Sequence, residues 1–518
     1  MMRLLRYRIS RVGVALWVLG LAACTTPRAR PDPDIITIAV RAAPNNLDPR
    51  LANDETTARI GQLVLNGLME LDDNMRARPK LAERLEQTSP TTYLAHLRRG
   101  VKFHDGHELT SRDVVYSYRR LIDPEFTSPY KSAFRPLASV DAVDDYTVLF
   151  TVKEPFAAFP AQLVEPGIVP DGAGAEMSTA PVGTGPYRFR RYVVDDRVEF
   201  AAFEDYYEGA PANAGVVMKI VPDDTMRGLE LRKGTVDITI NDMAPDIIHQ
   251  LAKSGEFRLK TSPGLDFFYV GFNVQDTVLR DKRVRHAIGY AIDRHAIIEY
   301  MRRGLARPAT GLLTSLSWAY EPDVFQFTHD PARARQLLDE AGYRDPDGDG
   351  PLPRLRLTMK ISTNEETRLQ CIVIQEDLKR VGIELDLRAY EFATMFADVL
   401  TGNFQMTALQ WVGGAVADPD ILRRVYHSSS WPPAGFNRGR YRNPEVDRLL
   451  DLAATAATEE ERLRHTSQVQ KIVAEDAVYI PLWSKENAVL LHPTLSDVTV
   501  NPRGDFQALT SLKRLPSP

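Results

Sequence analysis

Strand-like and helix-like stretches alternate along this chain from residue 35 almost to its end, and that alternation confines it to mixed α/β architectures. Residues 35–40 and 146–152 are rich in β-branched and aromatic side chains, the second run following an Asp144-Asp145 turn. Helix starts are clearly punctuated. Thr110 and Asp113 make a capping pair ahead of Val114, Val115, Tyr118 and Ile122 on one face. Asp330-Pro331 opens a second helix, carrying Ala334, Leu337, Leu338 and Ala341 and closed by Gly342. Asn443-Pro444 opens a third through Val446, Leu449, Leu450 and Ala453, and Thr458 with Glu461 a fourth through Leu463, Val469, Ile472 and Val473. Residues 283–301 place Val284, Ala287, Ile288 and Ala291 at helical spacing, with a break expected at Asp293. At 518 residues, of which 44% are hydrophobic, the chain has material for several lobes at roughly 150 residues each. No internal repeat or low-complexity tract divides it.

The first 23 residues read as a processing signal. Arg3, Arg6, Arg8 and Arg11 precede a run, residues 12–23, that carries no charge. That run is short of the roughly 20 apolar residues a bilayer span needs, but suits the hydrophobic part of a signal peptide. It ends Leu21-Ala22-Ala23-Cys24, which resembles the lipobox of bacterial lipoproteins. The resemblance implies cleavage before Cys24 and a lipid on its thiol; the alternative is an ordinary secretory peptide with Cys24 incidental. Residues 24–34, with Pro27, Pro31 and Pro33, then form a tether. Loss of residues 1–23 would take the formal charge from −5 to −9, which argues against nucleic-acid binding. The other cysteine, Cys371, shares a helical stripe with Thr367, Ile374, Leu378 and Val381 and reads as a core thiol; no intramolecular disulfide is expected.

Catalytic patterns are missing. There is no G-x-S-x-G, H-E-x-x-H, Walker A or G-x-G-x-x-G, and no cofactor motif. Ser128 and Lys131 fit S-x-x-K without its companion motifs. His104 and His107 flank an Asp105-Gly106 turn and lack a third metal ligand nearby. Asp345-Pro346-Asp347-Gly348-Asp349-Gly350 begins like a calcium loop, but Arg356 stands where a bidentate Glu belongs, so it reads as a polar turn.

Six segments in order resemble the family 5 extracellular solute-binding proteins, the oligopeptide, dipeptide and nickel receptors of ABC importers. They are Leu47-Asp48-Pro49; Asn66-Gly67-Leu68; residues 101–117 (VKFHDGHELTSRDVVYS); residues 183–189 (GTGPYRF); Gly271-Phe272-Asn273 with residues 280–288; and residues 330–343. The resemblance implies an α/β, two-lobed periplasmic-binding-protein-like fold with an extra subdomain on the first lobe. By analogy, lobe I comprises residues 35–71, 183–268 and 485–518, the extra subdomain 72–182, and lobe II 269–484. It further implies a monomeric, lipid-anchored receptor that closes over a ligand, most often an oligopeptide, and delivers it to permease subunits. An extracytoplasmic peptidase, or a sensing or chaperone-like protein of the same fold, are the alternatives.

The same resemblance nominates ligand contacts: Asn53 and Glu55, Tyr130, Tyr269, Trp411, Asn437 and Trp483. For the aromatics among them, core packing is the alternative. Many peptide receptors of the family carry an Asp three residues after the cleft Trp, pairing with the peptide amine. Here that position is Gly414, leaving Glu55, Asp418 or Asp420 as substitutes. The place where some members carry an Arg is Ala408.

Overall fold

The computed structural model describes residues 34–516 apart from 53, 349 and 413–417. The expected signal segment, Cys24, Asn53 and Gly414 lie outside the described residues. Among the described residues, an 11-stranded mixed sheet runs through the molecule. Its centre is a pair of long antiparallel strands, Arg258–Phe272 and Tyr479–Leu491. On one side lie Ile238–Ile240, Ile35–Val40, Gly215–Ile220, Arg197–Ala202 and Tyr187–Val193; on the other lie Met406–Trp411, Leu355–Ser362 and Ile383–Tyr390. The first group packs around Ile38, Val40, Val216, Met218 and Phe506, the second around Val270, Ile288, Leu357, Ile374 and Leu385. Two cores on one sheet make two lobes, joined by the long pair.

The pair is irregular where it leaves one lobe for the other. Pro263 faces Glu486 and Phe267 faces Ser484, so residues 264–266 stand opposite Lys485 alone. Such a bulge bends a strand and interrupts its ladder. Gly264 is needed there, because a Cβ would lie 2.5 Å from the Lys485 carbonyl oxygen.

Residues 82–152 add a separate four-stranded antiparallel sheet around Tyr93, Phe103, Tyr118 and Phe150. Its helix Ser111–Ile122 carries the Thr110–Asp113 capping box. Helices Pro331–Glu340, Pro444–Ala454 and Glu459–Glu475 start at the expected caps. The break at Asp293 is also present: Lys282–Ala291 ends, and the Asp293 carboxylate accepts from Ala296 N at 3.0 Å to start the next turn. Cys371 is buried in the second lobe's core, and burial pushes its thiol up to about 12.

His104 ties the small sheet's unit to the first lobe. Its backbone N–H donates to Gly183 O (2.9 Å), its Nδ1 accepts from Gly183 N–H (3.3 Å), and its Nε2 meets Gly185 O at 2.9 Å. This set requires the neutral ring with the proton on Nε2, and it engages both nitrogens with backbone rather than with a metal shared with His107. Burial lowers its pKa to about 4, from an unfolded value of about 6.5. The stability it contributes is therefore complete above about pH 6.5 and is lost as pH falls towards 4. Thermal unfolding followed from pH 7 to pH 4 should show that loss in the native protein and a smaller one in His104→Gln. Equal losses in the two would remove His104 as their source.

Candidate functional site

Strand direction locates the crevice. Ile35–Val40 runs parallel to Gly215–Ile220 and Ile238–Ile240, and Leu355–Ser362 runs parallel to Ile383–Tyr390 and Met406–Trp411. Ligands of open α/β sheets bind outside the carboxyl ends of the strands. Both groups meet the long pair antiparallel, with Ile240 opposite Val489 and Trp411 opposite Phe267. The carboxyl ends of both lobes thus face the bulge from opposite sides. The bulge is the floor, and the strand ends are the walls.

The first lobe's wall is ionic. Asp242, just past Ile240, accepts from Arg41 Nε and Arg59 Nη1, each at 2.7 Å. Glu55 opens the helix Glu55–Val64 and pairs with Arg59 one turn on, remaining half exposed. Burial acts to raise the Asp242 carboxyl, but Arg59 and Arg41 outweigh it and hold it below the usual range. In the floor, burial lowers the Lys485 amine while Asp266 and Glu55 oppose the shift. Farther out, Tyr130 meets Glu165. Burial raises both groups, and Arg503 and the Tyr130 hydrogen bond only partly offset it at Glu165. Glu165 is nevertheless solvent-exposed.

The second lobe's wall is aromatic. Tyr269 is buried between Phe267 (centroids 5.6 Å) and Tyr479 (4.3 Å), and its hydroxyl accepts from Arg438 Nη1 at 3.1 Å. Trp411 is buried beside Phe436 (5.5 Å), with the Arg438 guanidinium 4.4 Å from its ring centroid. Asn437 is only 1% exposed. Its side-chain N–H groups donate to the carbonyls of Tyr426, His427 and Tyr441, and its oxygen accepts from Tyr441 N–H. Trp483 is 0% exposed and stacks on Phe268 at 5.3 Å inside the core. In this conformation none of Tyr269 (1% exposed), Asn437 and Trp483 has surface to offer a ligand. Asp418 is held by Arg462. Asp420 forms no ion pair among the described residues; burial raises its carboxyl, and neighbouring Asp418 adds to that.

Tyr269, Trp411, Asp418 and Asp420 are therefore on the second lobe's side and Glu55 on the first lobe's, while Tyr130 packs against the core of the small-sheet unit beside Glu165. Sequence reading missed Arg438, Glu165 and Asp242. Arg438 had a signal, since it follows Asn437, whose hydrogen bonds shape the loop that presents it. Glu165 and Asp242 had none, because their partners lie far away in the chain.

The sequence profile of the family described as "Bacterial extracellular solute-binding proteins, family 5 Middle" matches residues 76–433. The oligopeptide-binding protein AppA of Bacillus subtilis is 26% identical over 475 residues, covering 88% of this chain and 87% of that protein. Heme-binding protein A of Haemophilus influenzae is 30% identical over 494 residues, covering 89% of each. The solved structure of AppA in complex with a nonapeptide has a TM-score of 0.76 at 25% identity, covering 93% of this chain and 98% of that one.

Proposed function

Because the chain belongs to the family 5 bacterial extracellular solute-binding proteins, we propose that it captures an oligopeptide between its two lobes. At the coarser level it is an extracytoplasmic substrate-binding receptor of an ABC importer and not an enzyme. No helix among the described residues is long and apolar enough to cross a membrane. The proposal adds a lipid on Cys24 as the anchor, delivery as a monomer to permease subunits, and lobe boundaries as read from the sequence: 35–71, 183–268 and 485–518 against 269–484, with 72–182 as the extra subdomain.

One observation carries the reading: the carboxyl ends of two parallel strand groups face each other across a bulged pair. Lobes joined so can close as rigid bodies, and a ligand touching both walls shifts the population towards closure. The oligopeptide assignment draws on AppA, named as an oligopeptide-binding protein and solved with a nonapeptide. Mass spectrometry of ligand released from natively purified protein tests it. A mixture of peptides is expected, and a single sugar or metal complex would overturn the substrate class. Intact mass of the same preparation reports acyl chains at Cys24.

Trp411→Ala should weaken ligand binding at least about tenfold, the scale of losing one buried aromatic anchor, with the fold intact. Calorimetry giving an unchanged Kd would move the site away from this wall.

A further inference from the structure

The aromatic wall holds two arginines, Arg438 and Arg424, stacked on its rings. Arg438 Cζ lies 4.4 Å from the Trp411 centroid, 5.1 Å from Phe396 and 5.7 Å from Phe436. Arg424 lies against Phe436 as well, at 4.5 Å. Neighbouring arginines are paired, Arg462 with Asp418 and Arg423 with Asp451. Among the described residues neither Arg438 nor Arg424 forms an ion pair. Arg438 spends one N–H on the Tyr269 hydroxyl, while its Nε is buried with no hydrogen-bond partner.

A guanidinium stacked on rings uses its faces and leaves its N–H edge for a planar acid. A cation taken out of water is costly unless a counter-charge meets it, and two of them around one phenyl ring add repulsion. Asp420 lies near enough to act on Arg424, whereas no acid among the described residues pairs with Arg438. The position is the crevice edge, since Trp411 ends its strand there. Phe392, 53% exposed, stacks on Phe396 at 5.4 Å and extends the apolar surface beside Arg438.

On the reading that this crevice holds the ligand, we propose that Arg438 is its anion-binding residue. It takes a carboxylate of the ligand at the N–H edge of its guanidinium not used by Tyr269, with Trp411 and Phe436 holding the guanidinium plane and the apolar flank accepting the group next to the carboxylate. The ligands selected carry a free acid. For a peptide this is the terminal carboxylate or an acidic side chain.

The test uses protein freed of retained ligand and three libraries of one peptide set: free carboxyl termini, amidated termini, and amidated termini with one internal Glu. Captured peptides are read by native mass spectrometry. The native protein is expected to prefer the free-acid library over the neutral amides at least tenfold, and enrichment of the Glu library would identify the side chain as the source. Arg438→Met should abolish the preference. Arg438→Lys should keep part of it, because it retains charge without the planar fork and checks that substitution here leaves the protein folded. Equal capture of acids and amides by the native protein, or an unchanged preference in Arg438→Met, overturns the anion site and leaves the peptide reading standing. If no peptide is captured, the peptide reading fails, and calorimetry with 3-phenylpropionate and its amide decides the anion site. Binding of the acid alone, lost in Arg438→Met, sustains it; equal or absent binding overturns it.

Discussion

Met75→Asp is expected to weaken ligand binding by about 100-fold while the separate lobes stay folded. Met75 sits in the turn between the short strands Met69–Leu71 and Ala77–Pro79, yet its side chain is buried in a core cluster that includes Leu312, Leu313, Ile421 and Leu422 of the second lobe. Around it, Trp318 N–H donates to Asn74 O at 3.1 Å, Arg76 pairs with Glu459 at 2.7 Å, and Ala157 N–H donates to Ala454 O at 3.1 Å. These contacts bind the small unit to the second lobe, so they must part when the lobes separate and belong to the closed form. Met75 has φ +62°, a conformation that Asp tolerates better than most residues, so the substitution does not penalise the backbone. Burying a carboxylate in that apolar site costs the closed form several kcal/mol, and about 2.7 kcal/mol suffices for 100-fold. The open form is not affected. Calorimetry for Kd and X-ray scattering for the radius of gyration read the two consequences. An unchanged Kd with an unchanged radius would exclude Met75 from closure.

Asp242→Ala should cost the first lobe about 3–5 kcal/mol, the scale of removing one partner from a buried ion pair. The Arg59 side chain is 6% exposed and its guanidinium lies 4.7 Å from the Phe506 ring centroid, so without Asp242 it keeps only Glu55 at the rim. Arg41 is half exposed and can turn to water; Arg59 cannot. The pair also sets a pH dependence. Although burial opposes it, the Asp242 carboxyl is held below its usual value by Arg59 and Arg41, so its contribution is full above about pH 4 and is lost as pH falls below. Urea unfolding of the native and variant proteins at pH 7 measures the difference. A loss under about 1 kcal/mol would place this cluster with ordinary surface pairs.

Local chemistry made much of the fold legible. The caps at Thr110, Asp330, Asn443 and Thr458 start helices in the structure because a side chain three residues or fewer from an orphan N–H needs no distant partner. The stripe through Cys371 faces a core for the same reason. The aromatics of the long strands were harder. Side chains alternate faces along a strand, but the pairing slips between Phe268 and Tyr269 as well as at residues 264–266, and each slip alters which faces meet. That is how Trp483 ends in the core against Phe268 while Tyr269 turns to Arg438. Asn437 was picked for a site role and turned out to brace its loop, its neighbour making the contact with Trp411.

By itself the sequence determined the α/β alternation, the helix boundaries and the order of segments that marks the family, since each depends on residues within a few positions of one another. Tertiary structure alone decided the rest. Arg59 meets Asp242 across 183 positions, and Met75 enters a core built from residues 265 to 479. Such partners are chosen by strand order and by the bend of one bulged pair. A charge or an apolar side chain carries no local signal of what will lie opposite it once the sheet has formed.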